Sequence, residues 1–211
     1  YAELSKLSLE LLTKNDSLAR DYAQQMFDLA YASGNDAMQG EALYLIAKSY
    51  RQKSAFKALE HYKMATPLLE MANHEWLSDL YFEKSNILTF FSEFPEALSL
   101  ALKSLEYNQL NKLENNIQRD MSFIGYIHDR MYEYRESIKW NRKALELAIK
   151  LNDKIGQAMC YGRIGIAYDE LAEKDNFNQK LFDSALYYNI KAAKLSEEAG
   201  DLGFARTTYS N

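Results

Sequence analysis

The chain has 211 residues, with 25 Lys and Arg against 30 Asp and Glu, a formal charge of −5 that is the wrong balance for a nucleic-acid-binding protein. Its 47% hydrophobic content suffices for a buried core, while 8 Gly and 2 Pro leave too few turn signals for a many-stranded fold, so a mainly helical protein is expected. The single Cys160 excludes an intramolecular disulfide and any thiolate cluster, and no run approaches the roughly 20 apolar residues that cross a bilayer.

Residues 1–12, YAELSKLSLELL, lack the basic start and cleavage site of a signal peptide and read as a helix already under way, so the expectation is a segment of a longer protein. Residues 17–33 follow as a second helix, and SGND at 33–36 reads as a helix stop. Beyond it a pattern repeats. A small residue, an aliphatic and another small residue recur in ALEHYKMA from Ala58, ALSLALKS from Ala97, SIKWNRKA from Ser137 and ALYYNIKA from Ala185, at intervals of 39, 40 and 48 residues. Upstream of each copy lies a bulky residue, a small one four positions on, and a third residue three further on: Leu43, Ala47, Tyr50; Tyr81, Ser85, Leu88; Met121, Gly125, His128; and Tyr161, Gly165, Tyr168. Spacings of four and three share one helical face. Each unit is therefore read as two helices, A then B, crossing closely at the small residues.

The expected organisation is a single all-α solenoid over 1–211. It has an N-terminal cap or partial repeat at 1–35, repeats at 37–74, 75–114, 115–154 and 155–201, and the start of a truncated further repeat at 202–211. The fourth repeat carries an insertion near 173–182, where Phe177 is a candidate anchor for a partner. Phe94, Tyr134 and Phe182 precede the B helices by three positions and are placed to plug each hairpin. Pro95 suits a helix's first turn, whereas Pro67 should bend the first B helix or shift its boundary.

This arrangement resembles the tetratricopeptide repeat, and its period near 40 is similar to arrays in bacterial signalling proteins, namely intracellular receptors for short peptides and sensing regions that precede histidine-kinase or DNA-binding modules. Lys84, where the other units have Ile46, Ile124 and Ile164, and His128, in place of an aromatic, depart from the pattern. The resemblance implies a right-handed superhelix that binds a peptide or protein in its concave groove. It implies no cofactor, and any kinase or DNA-binding output would lie elsewhere in the same chain. The alternative is a stand-alone scaffold that assembles protein complexes. Nucleic-acid binding and membrane insertion are not expected within this segment, which fits either the cytoplasm or the extracytoplasmic part of an anchored sensor.

In such arrays the A helices line the groove. Counting from each small residue, the candidate ligand-binding side chains are Tyr44, Lys48 and Arg51 in the first repeat and Phe82 and Asn86 in the second. Tyr126, Asp129 and Arg130 follow in the third, and Arg119 and Arg163 sit nearby. Aromatic faces take apolar side chains, an Asn offers an amide both donor and acceptor, and the cations can engage carboxylates. A subset of the family clamps C-terminal carboxylates of chaperones. At those positions this chain has Tyr44 and Lys48, Glu83, and Arg119 and Phe123, and Glu83 would repel a carboxylate, so that reading is rejected. His61, His74 and His128 lie in different repeats without metal-ligand spacing, Cys160 reads as a small buried hydrophobe, and Asp169 and Glu170 point about 100° apart, so no catalytic or metal site is expected.

Overall fold

A computed structural model describes residues 1–200. The expected further repeat at 202–211 lies outside them. The described residues form ten helices: α1 (Ala2–Leu11), α2 (Asp16–Ser33), α3 (Asp36–Tyr50), α4 (Ala55–Met71), α5 (Leu77–Phe90), α6 (Phe94–Leu110), α7 (Glu114–Arg130), α8 (Tyr134–Lys150), α9 (Lys154–Lys174) and α10 (Gln179–Glu198). The chain divides into two compact units at Phe91 and Ser92. The division falls inside the segment expected as the second repeat.

Short polar side chains start several helices. Asn15, Asn35, Ser54 and Asp153 each accept a hydrogen bond from the backbone N–H three residues on, satisfying a donor the first turn cannot pair itself. Between helices the chain turns through a residue in the left-handed region: Gly34, Asn73, Ser92, Lys112, Tyr132 and Asn152 all have positive φ. At Lys112 the turn closes through Leu113 N–H to the Asn108 carbonyl (2.9 Å) and Lys112 N–H to the Gln109 carbonyl (3.2 Å), and the same pair of bonds recurs at Tyr132 and Asn152. The four positions 92, 112, 132 and 152 are evenly spaced, so both kinds of turn, A to B and B to A, use one geometry. A side chain with a Cβ pays for that conformation. Replacing exposed Lys112 with Gly is expected to raise stability by about 0.5–1 kcal/mol, read as a higher urea midpoint; an unchanged or lower midpoint would contradict this account of the turn.

In the first unit α1 packs on α2, α2 on α3, α3 on α4, and α4 on α5. Ala19, Ala23, Met26 and Ala30 make one buried stripe of α2, and Ala58, Leu59, Tyr62, Ala65 and Leu69 make one on α4. Helix α3 is buried on most of its circumference, from Ala42 to Ala47. Pro67 lies inside α4, which continues past it to Met71. Both Pro67 and Lys63, whose carbonyl loses its donor, face solvent, where water can replace the missing bond.

In the second unit α6 to α10 pack in chain order, and α7 also touches α9 across α8. The core joins Tyr134, Ile138, Ala144 and Leu145 of α8 to Cys160, Ile164 and Ala167 of α9. Tyr134 is buried, and its hydroxyl donates to Glu170 Oε2 at 2.7 Å. The extra length near 173–182 is mostly helix: α9 and α10 run to 21 and 20 residues, against 17 for α7 and α8, and only Asp175–Asn178 connect them.

Candidate functional site

Helices α7 and α9 lie side by side on α8, and between them is a cavity of about 250 Å³ lined by Tyr126, Asp129, Met159, Gly162, Arg163 and Ile166. The α9 members follow the spacing 159, 162, 163, 166, one face of a helix, and the α7 members are three apart. Three of the expected ligand-binding residues, Tyr126, Asp129 and Arg163, are thereby brought together. Met159 was not among the candidates, although it lies one turn before Arg163 on the same face of α9.

The polar groups are poised in a confined space. The Arg163 guanidinium carbon lies 4.7 Å from the centre of the Tyr126 ring, a cation–π contact. Burial lowers the Arg163 pKa from its usual value, against the pull of Cys160, Tyr126 and Asp129. Burial likewise raises the Asp129 carboxyl, Glu170 adding to the rise while Arg163 and Arg130 oppose it. Asp129 Oδ1 is buried without a hydrogen-bond partner among the described residues.

The remaining candidates are distributed differently. Arg130 is exposed. Arg119 is held by its neighbour, with Nε and Nη2 both 3.1 Å from Asp120 Oδ1. In the first unit Tyr44 is a core residue and not a groove residue. It is 3% exposed, with the Tyr62 and Trp76 rings at 5.8 and 5.2 Å, because α3 is enclosed on nearly every side. Lys48 Nζ sits 5.3 Å from the Tyr44 ring, and Arg51 Nη1 pairs with Glu83 Oε1 at 3.0 Å. Phe82 and Asn86 are half-buried on α5. Phe177 is 72% exposed at φ 58° and stacks on Phe182 at 6.4 Å. A second cavity of about 230 Å³, unforeseen from the sequence, is lined by Arg135, Ile138, Tyr168, Leu171, Asp175 and Leu181, where the lengthened helix pair meets α8.

The titratable groups set aside in the sequence each have local partners. His61 Nδ1 is 2.8 Å from the Lys57 carbonyl, His74 Nε2 is 3.0 Å from Glu41 Oε1, and His128 Nδ1 is 2.7 Å from Glu133 Oε2. Asp169 accepts from Asn189 and Glu170 from Tyr134. Cys160 is fully buried, and burial pushes its thiol up to about 11. Among the described residues no group of three His, Cys, Asp or Glu could hold a metal ion, and no helix is long and apolar enough to cross a membrane.

Antiparallel helix pairs without strands among the described residues, with small residues at the crossings, define an all-α repeat fold of the tetratricopeptide type. No family model and no curated protein matches the sequence. Solved structures do match in fold. A Signal Transduction ATPase with Numerous Domains protein with a tetratricopeptide repeat sensor, from Pyrococcus horikoshii, superposes with a TM-score of 0.82 at 20% identity, over 97% of this chain and 31% of that one. Aspartyl phosphate phosphatase F from Bacillus subtilis gives 0.75 at 14% identity over 96% and 52%, and MamA gives 0.66 at 18% over 92% and 96%. The chain thus spans about a third of the first protein and half of the second. A fold of this type is consistent with a protein-interaction module.

Proposed function

We propose that this chain is a non-enzymatic module that binds a peptide or protein segment along its A helices, as the sensing or interaction segment of a larger signal-transduction regulator. The observation that carries the reading is the cavity between α7 and α9, which joins an apolar wall to a carboxylate oxygen left without a partner. Buried polar groups are ordinarily satisfied, and an exception calls for a role. The likeness to a protein described as carrying a tetratricopeptide repeat sensor, of which this chain matches 31%, supports an output located in other sequence.

Panning a phage-displayed random heptapeptide library against the 211-residue chain tests this. Enriched peptides are expected to bind with 1:1 stoichiometry by calorimetry. Arg130→Ala should weaken binding while leaving the melting temperature nearly unchanged, because that side chain is exposed. Failure to enrich any peptide, or enriched peptides indifferent to every A-helix substitution, would refute the reading. Solution scattering at saturation then separates the two forms of it: a sensor changes its profile, whereas a scaffold leaves it unchanged.

A further inference from the structure

The α7–α9 cavity has a chemistry that narrows what it holds. Its walls are Met159, Ile166 and the Tyr126 ring, and Gly162 contributes no side chain. At about 250 Å³ it falls below the roughly 300–1,000 Å³ typical of pockets for drug-sized ligands, so it suits one residue and not a folded element.

Charge and hydrogen bonding are out of step there. Asp129 lies in the field of Arg163 and Arg130 on one side and Glu170 on the other. Arg163 is balanced by the Tyr126 ring and by Asp129. Of the lining residues Asp129 and Arg163 are the charged ones, one of each sign, so a charged ligand of either sign meets one like charge and one opposite charge. Hydrogen bonds are what is missing. Asp129 and Arg163 form no ion pair with each other, Asp129 Oδ1 is buried without a donor, and the Arg163 guanidinium hydrogen-bonds to no described side chain. An uncharged ligand presenting one N–H and one C=O completes the site. Resting on the peptide-binding reading above, we propose that the cavity seats one aliphatic side chain of an extended peptide. Arg163 donates to a carbonyl, and Asp129 accepts from an N–H, of the main-chain amides beside that side chain.

The probe is N-acetyl-leucine N-methylamide, titrated into the full chain carrying ¹³C-methyl methionine and isoleucine. Saturable shifts confined to the Met159 and Ile166 methyls are expected. N-acetyl-glycine N-methylamide should bind several-fold more weakly for want of a side chain. Leucine, N-acetyl-leucine and leucinamide present the same side chain as a zwitterion, an anion and a cation, and each should also bind more weakly than the neutral diamide. Arg163→Met and Asp129→Asn should each weaken the diamide about tenfold, the factor expected for a lost charge-assisted hydrogen bond, with the other methyl resonances in place to show an intact fold. No shift at Met159, or tighter binding of any charged form, overturns the proposal. Heptapeptides that bind wild type and both variants equally would leave the module reading standing and remove this subsite alone.

Discussion

Replacing Asp120 with Ala is expected to destabilise the second unit by about 3 kcal/mol, measured by urea denaturation followed by circular dichroism at neutral pH. Asp120 is fully buried on α7. Its Oδ2 accepts from Ser104 Oγ and from Asn108 Nδ2, each at 2.7 Å, and its Oδ1 is 3.1 Å from Arg119 Nε and Nη2. Ser104 and Asn108 are one helical turn apart on α6, which is why two donors converge on a single oxygen. Truncation leaves these donors facing a void, and each buried donor without an acceptor costs about 1–3 kcal/mol. Asp120→Asn keeps the shape and can leave its amide oxygen where Ser104 and Asn108 both donate, giving up the contact with Arg119, so its cost should be about half or less. Equal losses would assign the effect to the carboxylate's charge and acceptor chemistry and not to the volume that Ala removes. The two variants also separate with pH. Burial is the largest influence on Asp120 and raises its pKa, despite Arg119 and the two hydrogen bonds. The folded state then holds its proton more firmly than the unfolded chain, whose carboxyl titrates near 3.9. The penalty for ionising Asp120 is thus present in full above the folded pKa and fades as pH falls through it towards the unfolded value. Wild type should gain on Asp120→Asn over that interval.

Asp120 also marks where sequence reading stops. Five residues before Gly125, it looks like any charge on an exposed helix; its burial depends on Ser104, which the repeat pattern shows only as a small residue, and on Asn108, which lies outside that pattern. The helix pairs were legible because small residues at Ala47, Ser85, Gly125 and Gly165 recur at fixed distances from the B-helix pattern, and a period survives substitution of its members. The turns were legible only where Gly34 or Asn152 announced them. Ser92, Lys112 and Tyr132 adopt the same left-handed conformation without any residue preference for it, and at Lys112 and Tyr132 backbone bonds to the preceding helix impose it. Within the cavity, Tyr126 and Asp129 follow from their offsets along α7, and Arg163 from its nearness to the same face of α9. Tyr44 has the offset of Gly162 on its own helix yet is core, since α3 is enclosed to a degree that no periodicity in its own sequence encodes. The added length of the fourth repeat was visible, but its form was not, because a stretch such as EKDNFNQKLF can extend two helices or make a loop with nearly equal local preference.

Gly125→Ala is expected to cost about 2 kcal/mol, although Ala is the better helix former by about 1 kcal/mol. A Cβ there would lie 2.3 Å from Asn141 Nδ2 and 2.9 Å from its Cγ. Asn141 cannot simply swing aside. It is fully buried, donates to the Ser137 carbonyl at 2.9 Å and accepts from Ser122 Oγ at 3.2 Å. The fourth repeat repeats the arrangement, with Gly165 against Asn189, whose Oδ1 would be 2.0 Å from an added Cβ. In the first repeat the crossing residue is Ala47, and Tyr62 holds the position corresponding to Asn141 and Asn189, so glycine accompanies asparagine and not the fold as such. The argument predicts coupling. Gly125→Ala with Asn141→Ala should be more stable than the sum of the single changes by at least about 1 kcal/mol, the sign of a relieved clash, and strict additivity would refute it. The fourth repeat should show the same rescue at lower cost. Asn189 makes one side-chain hydrogen bond, to Asp169 Oδ2 at 3.2 Å, and its Oδ1 is buried without a partner. Asn189→Ala should therefore destabilise less than Asn141→Ala, and Gly165→Ala with Asn189→Ala should lie closer to wild type than its counterpart in the third repeat.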